Sequence, residues 1–293
     1  MTKRTRVLAG VGVVLGLTWL APNEARAQDK GPADDIAWQA GPGTGQLGNV
    51  AQIQIPDGYM FSGRDGVRRF LEMTQNPVGG SELGVLIPPE ESGNRWFVIF
   101  DFDSVGYVKD DEKNDLDAKA ILDSIKTGTE RSNEERRKRG WATMEILGWH
   151  TPPRYDPVTN NLTWAIRGAS EGSESVNYSV RLLGRRGVMD VDLVLSPTQV
   201  MTAVPDFNQL LTGFTFTTGN KYAEFKAGDK VAAYGLTALV AGGAGAALAK
   251  SGLLGKIWKL IVFGAIAAMA AIKRVLAAVF GKKPTEEPAG TAS

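Results

Sequence analysis

The sequence predicts an α+β fold, a largely antiparallel sheet with helices packed on one face, followed by a C-terminal transmembrane helix and a second apolar, basic helix. Three observations carry that expectation. Short runs such as RWFVIFDFD, LTWAIRG and GVMDVDLVL have strand character and come in pairs separated by turn residues. Helical spacing is sustained in only a few places between those pairs. After them comes a charge-free apolar run of about nineteen residues, 231–249, long enough to cross a bilayer core.

Taken in order, residues 1–27 read as a signal peptide. Lys3, Arg4 and Arg6 precede an apolar run of about fifteen residues, and Ala25, Arg26 and Ala27 fit the small-x-small cleavage pattern. Residues 28–45 are polar and rich in Gly and Pro, which predicts a flexible lead-in. The exported α+β domain is expected over 46–228. Within it, NVAQIQIPDGYMF reads as a strand and a turn, and residues 64–75 as a short helix ended by Asn76-Pro77. ELGVLI and RWFVIFDFD are two strands joined by a turn. A long helix follows, capped by Asn114 or Asp115 and closed by Gly140, with Ala118, Ile121, Leu122 and Ile125 at helical spacing. Four strands come next: MEILGW, LTWAIRG, SVNYSVRLL and GVMDVDLVL. A last helix runs near 197–211 and GFTFTTG leads out of it. The transmembrane helix is placed at 229–250, the second hydrophobic, basic helix at 251–283, and a disordered tail at 284–293.

Charge separates the two halves of the chain. The whole carries 33 Lys and Arg against 32 Asp and Glu, but residues 28–228 hold 21 basic against 28 acidic groups. From Asp229 onward the count is 8 basic against 3 acidic. An acidic domain is repelled by nucleic acid, so nucleic acid is excluded as a partner. The absence of Cys excludes disulfides, thiol catalysis, thiolate metal sites and a lipid anchor on Cys.

Most motif matches fail on context. Gly43-Thr44-Gly45-Gln46-Leu47-Gly48 fits the dinucleotide fingerprint, but no strand precedes it and no helix follows. Gly168-Ala169-Ser170-Glu171-Gly172 fits the nucleophile elbow, yet it reads as a hairpin turn, and the sole His, His150, lies upstream of the Ser. His150, Asp156 and Ser170 stand in a triad order that nothing else supports. Asp101, Asp103, Gly106 and Glu112 match four positions of a calcium loop, but Val105 and Lys109 occupy two ligand positions. The acid-rich stretch with Asp110, Asp111, Glu112, Asp115 and Asp117 therefore reads as the start of a helix, where negative charge meets the helix dipole.

One constellation holds chemical interest. Asp101 with Asp103, and Asp190 with Asp192, are each two residues apart on a strand, so each pair projects from one face. On neighbouring strands the four carboxylates would form a metal site or an acid/base pair. In the apolar run, Ala241, Gly242, Gly245 and Ala249 would permit close packing of the membrane helix on another helix.

The segments GYVKDDEKNDLDAKAILDSIKTGTERSNEERRKRG, VNYSVRLLGRRGVMDVDLV and YAEFKAGDKVAAYGLTALVAGGAGA together resemble the bacterial family of uncharacterised membrane-anchored proteins known as domain of unknown function 2167. The resemblance implies a signal-bearing, membrane-anchored envelope protein and carries no catalytic residues with it. At the level of fold alone, the strand pairs and the late helix running into LLTGFTF resemble small α+β domains of the Mog1/PsbP type. The resulting expectation is a bacterial inner-membrane protein with its main domain in the periplasm, serving as a binding, scaffold or sensor module. The alternative is a metal-assisted hydrolase using the strand carboxylates. Expected partners are the lipid bilayer and another inner-membrane protein or a second copy; no cofactor is expected.

Overall fold

The computed structural model describes residues 36–241 apart from 75, 77 and 90–95. The expected signal peptide, the first part of the lead-in, Gly242, Gly245, Ala249, the second hydrophobic helix and the tail lie outside the described residues.

The elements are β1 (Gln39–Ala40), β2 (Gly43–Leu47), β3 (Ala51–Ile55), β4 (Met60–Gly63), α1 (Arg64–Met73), β5 (Glu82–Ile87), β6 (Phe97–Asp103), α2 (Ala118–Lys138), β7 (Glu145–Asp156), β8 (Asn161–Ser170), β9 (Ser173–Leu183), β10 (Val188–Leu195), α3 (Val200–Leu211), β11 (Phe214–Phe216) and α4 (Leu236–Ala241). An eight-stranded sheet runs in the order β1-β4-β5-β6-β10-β9-β8-β7, and a three-stranded sheet in the order β11-β3-β2. Every neighbouring pair is antiparallel. The antiparallel α+β reading of the sequence therefore holds.

The alternation of side chains assigns each face. Val98 and Phe100 of β6, Val176, Val180 and Leu182 of β9, and Met189, Val191, Leu193 and Leu195 of β10 form the largest apolar cluster. It is closed by Val200, Ala203, Phe207 and Leu210 of α3 and by Leu47 and Ile53 of the small sheet. The opposite face carries two smaller clusters. Val67, Phe70 and Leu71 of α1 meet Val85, Ile87, Phe97, Ile99 and Val194. Ile121 and Ile125 of α2, with Leu236, Leu239 and Val240 of α4, meet Leu162, Trp164, Ile166, Leu183 and Val188. Helices thus cover both faces of the sheet, not one. The late helix goes to the other side because Val200, Ala203, Phe207 and Leu210 form its apolar stripe and the small sheet extends the surface that receives it.

Local differences from the expectation have identifiable causes. The lead-in becomes ordered from β1 onward, and GTGQL forms β2 paired with β3, not a flexible loop. Gly45 is what permits it: a Cβ there would stand 2.9 Å from the Phe61 ring. The cap of α2 is Asp117, not Asn114 or Asp115, since its Oδ1 accepts the N–H groups of Lys119 and Ala120, both at 3.0 Å. The β7 strand runs through Pro152 and Pro153 to Asp156, which an edge strand with register shifts allows. Between β8 and β9, Glu171 and Gly172 both have positive φ, the geometry of a two-residue hairpin turn.

Candidate functional site

Polar residues separate the two apolar clusters on the divided face. On β9, Ser175, Asn177, Ser179 and Arg181 all point to that face, because Val176, Val180 and Leu182 belong to the other. Arg181 is the centre of the strip and only 1% exposed. Its Nε lies 3.0 Å from Asp190 Oδ1 and its Nη1 donates to Asp192 Oδ1 at 3.2 Å. The guanidinium also lies over the Trp164 ring, 4.7 Å from its centroid. Ser179 donates to Asp192 Oδ1 at 2.6 Å. Register places Asp190 directly opposite Arg181 on one side and Asp101 on the other.

The two aspartate pairs therefore do share one face of adjoining strands, with Asp103 beyond them accepting from the Tyr234 hydroxyl at 3.3 Å. Against Asp190 and Asp192 stands Arg181, a cation built into the chain. Among the described residues no group of three or more His, Cys, Asp and Glu is arranged to hold a metal ion. Burial by itself would lower the Arg181 pKa, but Asp190 and Asp192 reverse the effect and the net shift is upward. Asp190 moves well above the ordinary carboxylate range. Burial drives it up, Arg181 opposes, and the neighbouring Asp101, Asp192 and Asp103 add to the rise. The arrangement can bind a proton at Asp190 and keep a positive charge fixed beside it. Arg181, Ser179, Asn177 and Ser175 were not singled out from the sequence. The signal was the polar alternation in SVNYSVRLL, which by itself is the pattern of a strand facing solvent.

The remaining motif residues are engaged elsewhere. His150 is exposed, with Nδ1 3.1 Å from Thr151 Oγ1, Ser170 donates to the Thr143 carbonyl, and Asp156 accepts from Val158 N–H and the Thr159 hydroxyl. The acid-rich stretch divides its work. Asp117 caps α2, Asp110 pairs with Lys113 at 3.2 Å, and Glu112 accepts the Thr237 N–H of α4 at 2.8 Å.

That last bond belongs to a second feature beside the strip. Residues 221–241 run back along the domain, beyond the boundary expected after 228. Tyr107 stacks between Tyr222 and Phe225, with ring centroids 4.4 and 4.1 Å away. Arg185 grips Asp229 with two bonds of 2.7 Å, which, with the Lys226 N–H, holds the Asp229 carboxyl down at about 2. Val231 pairs with Tyr107 as an isolated parallel bridge. Gly106, at φ 104°, is needed there twice over, for its left-handed backbone and because a Cβ would stand 2.6 Å from the Lys230 carbonyl oxygen. The helix expected across 229–250 starts, in the described part, at Leu236, and Ala241 packs against the α2 cluster. No helix among the described residues is long and apolar enough to cross a membrane.

Fold and site together define an α+β domain built on an antiparallel sheet, with a compensated ionic cluster on one face. The chain belongs to the family described as protein of unknown function (DUF2167), whose model matches residues 39–273. No curated protein matches it. Among solved structures, the solution structure of cyanobacterial PsbP (CyanoP) from Synechocystis sp. PCC 6803 is similar at 11% identity and a TM-score of 0.36, covering 62% of this chain and 92% of that one.

Proposed function

We propose that this chain is a membrane-anchored envelope protein whose α+β domain faces the periplasm and serves as a binding, scaffold or sensor module, not as an enzyme. The observation that carries the reading is how residues 221–241 are fastened. A passive tether needs no fixed bonds to the domain it carries. Here the approach to the apolar run is clamped by Arg185, bridged by Tyr107 and bonded by Glu112, beside the Arg181 strip. A change at the strip is thus placed to reach the membrane-proximal chain. Three of the four carboxylates that a hydrolase would use are engaged, Asp190 and Asp192 by Arg181, Asp192 also by Ser179, and Asp103 by Tyr234.

The test uses full-length protein in cell membranes. The expected result is resistance to alkaline extraction and digestion of the domain by protease added to intact spheroplasts. Release by alkali, or protection of the domain, would overturn the proposed anchoring and orientation. Metal analysis of the same sample separates module from hydrolase: a stoichiometric divalent ion, lost in Asp101→Ala and Asp190→Ala, would favour the enzyme. A partner within the membrane is proposed through the small residues Ala241, Gly242, Gly245 and Ala249. Gly245→Ile is expected to abolish helix crosslinking there.

A further inference from the structure

Part of the run that a membrane span needs is fastened to the domain. Residues 231–249 are the uncharged stretch, yet the first of them are bonded to the domain. Ala232 N–H donates to the Tyr107 carbonyl at 2.8 Å and Tyr107 N–H donates to the Lys230 carbonyl at 2.8 Å. Leu236, Leu239 and Val240 of α4 are then buried with Val108, Ile121 and Ile125. With these residues in place, only 242–249 remain before Lys250. Eight residues make about 12 Å of helix at ~1.5 Å each, against about 30 Å of hydrocarbon.

We infer that residues 231–241 occupy one of two places at a time, on the domain or in the bilayer, and that Glu112, Asp103 and Tyr107 hold them on the domain. This rests on the membrane reading above. The exchange is nearly neutral for Leu236, Leu239 and Val240, because lipid tails are as apolar as the cluster they leave. Backbone groups freed from Tyr107 find partners within a helix. The polar groups that favour the docked place are the two carboxylates, Glu112 on the Thr237 N–H and Asp103 on the Tyr234 hydroxyl. The vacated surface would bare Val108, Ile121 and Ile125, so the docked place is the resting one. While it is occupied, attachment falls to the segment carrying Lys256, Lys259, Lys273 and Arg274, whose charges suit anionic headgroups.

The absence of cysteine allows a clean test. Ala233 is exposed in the docked form and would enter hydrocarbon on insertion; Thr215 is exposed on β11 in both. Full-length Ala233→Cys and Thr215→Cys proteins, reconstituted in liposomes of mixed neutral and anionic phospholipid, are labelled with a membrane-impermeant maleimide. Ala233→Cys is expected to react close to the Thr215→Cys rate when the latch is intact. Adding Glu112→Ala and Tyr234→Phe should slow it about threefold or more, because losing two hydrogen bonds, one of them to a charged carboxylate, shifts the equilibrium by about 30-fold or more, with Thr215→Cys unchanged as a sign that the domain is folded. Equal rates at Ala233→Cys with and without the latch, or protection in both, would overturn the inference. Protein that fails to float with the liposomes would instead overturn the membrane reading itself.

Discussion

On one face of the eight-stranded sheet, Val98, Phe100, Val180, Val191 and Leu193 form an unbroken apolar surface beneath α3 and the small sheet. On the other face the same central strands carry Asp101, Asp190, Asp192, Ser179 and Arg181, and the apolar area is split between α1 on one side and α2 with α4 on the other. The first face is held by area and close packing, which is non-directional and stabilises in proportion to what is buried. The second is held partly by a network in which each charge depends on its neighbour, and breaking it by one member costs more than replacing it whole. The undivided face therefore reads as the stability of the domain, and the divided face is where its buried ionisable groups sit.

Truncation on the undivided face should give the largest effect. Phe100→Ala removes a fully buried ring and is expected to cost about 3–5 kcal/mol, read as the urea midpoint of the full-length protein in mild detergent. A loss below about 1 kcal/mol would mean that this face is not the core it resembles.

Arg181→Leu should come next, at about 3 kcal/mol, the low end for an opened buried ion pair because the Asp190 and Asp192 side chains keep 16% and 12% exposure. The sharper prediction is the repair. Adding Asp190→Asn and Asp192→Asn to Arg181→Leu should recover at least half of that loss, since the two carboxylates that Arg181 paired with are then neutral. Failure to recover would show that shape, not charge, is what Arg181 contributes.

Titration sharpens the comparison further. Asp190 binds its proton more tightly folded than unfolded, so between about 3.9, the unfolded value, and its raised folded value the native state holds the extra proton. Its contribution is full below that window and is lost as pH rises through it. Asp229 works in the opposite direction: its folded value of about 2 adds stability above the unfolded value that is lost as pH falls. Asp190→Asn should therefore flatten the decline in midpoint on raising the pH above 4, while Asp229→Asn should flatten the decline below it. Parallel profiles for wild type and Asp190→Asn would remove the charged strip from the account.

The undivided face was legible in the sequence because its strands announce themselves by their apolar runs, and β6, β8, β9, β10, α1 and α2 fall close to where their patterns place them, while β7 runs on past MEILGW to Asp156. The divided face was legible only in halves. Asp101 with Asp103 and Asp190 with Asp192 could be seen as pairs, since spacing along a strand is local information. That Arg181 would stand between β10 and the Trp164 ring could not, because strand order is set by long-range pairing and a polar face on one strand looks the same buried or wet. Residues 231–241 show a similar limit. Their composition suits a bilayer and a domain cluster equally well, and only the partners at Tyr107 and Glu112 tell which one they occupy here.

The smallest effect concerns how α2 begins over the divided face. The sequence reading puts the cap at Asn114 or Asp115; Asp117, where the cap lies, is of equally favourable type, and helix dipole arguments cannot choose among the three. Geometry does: Asp117 has extended backbone and accepts two N–H groups, while Asp115 N–H itself donates to the Glu112 carbonyl within the preceding turn. Asp117→Ala should lower stability by about 1 kcal/mol. Asp115→Ala should leave the midpoint unchanged, because that side chain bonds no helix N–H. Equal losses at both positions would mean that the stretch acts through its summed charge on the dipole and not through one cap. Salt would then decide between the two accounts, since a dipole contribution is screened and a capping hydrogen bond is not.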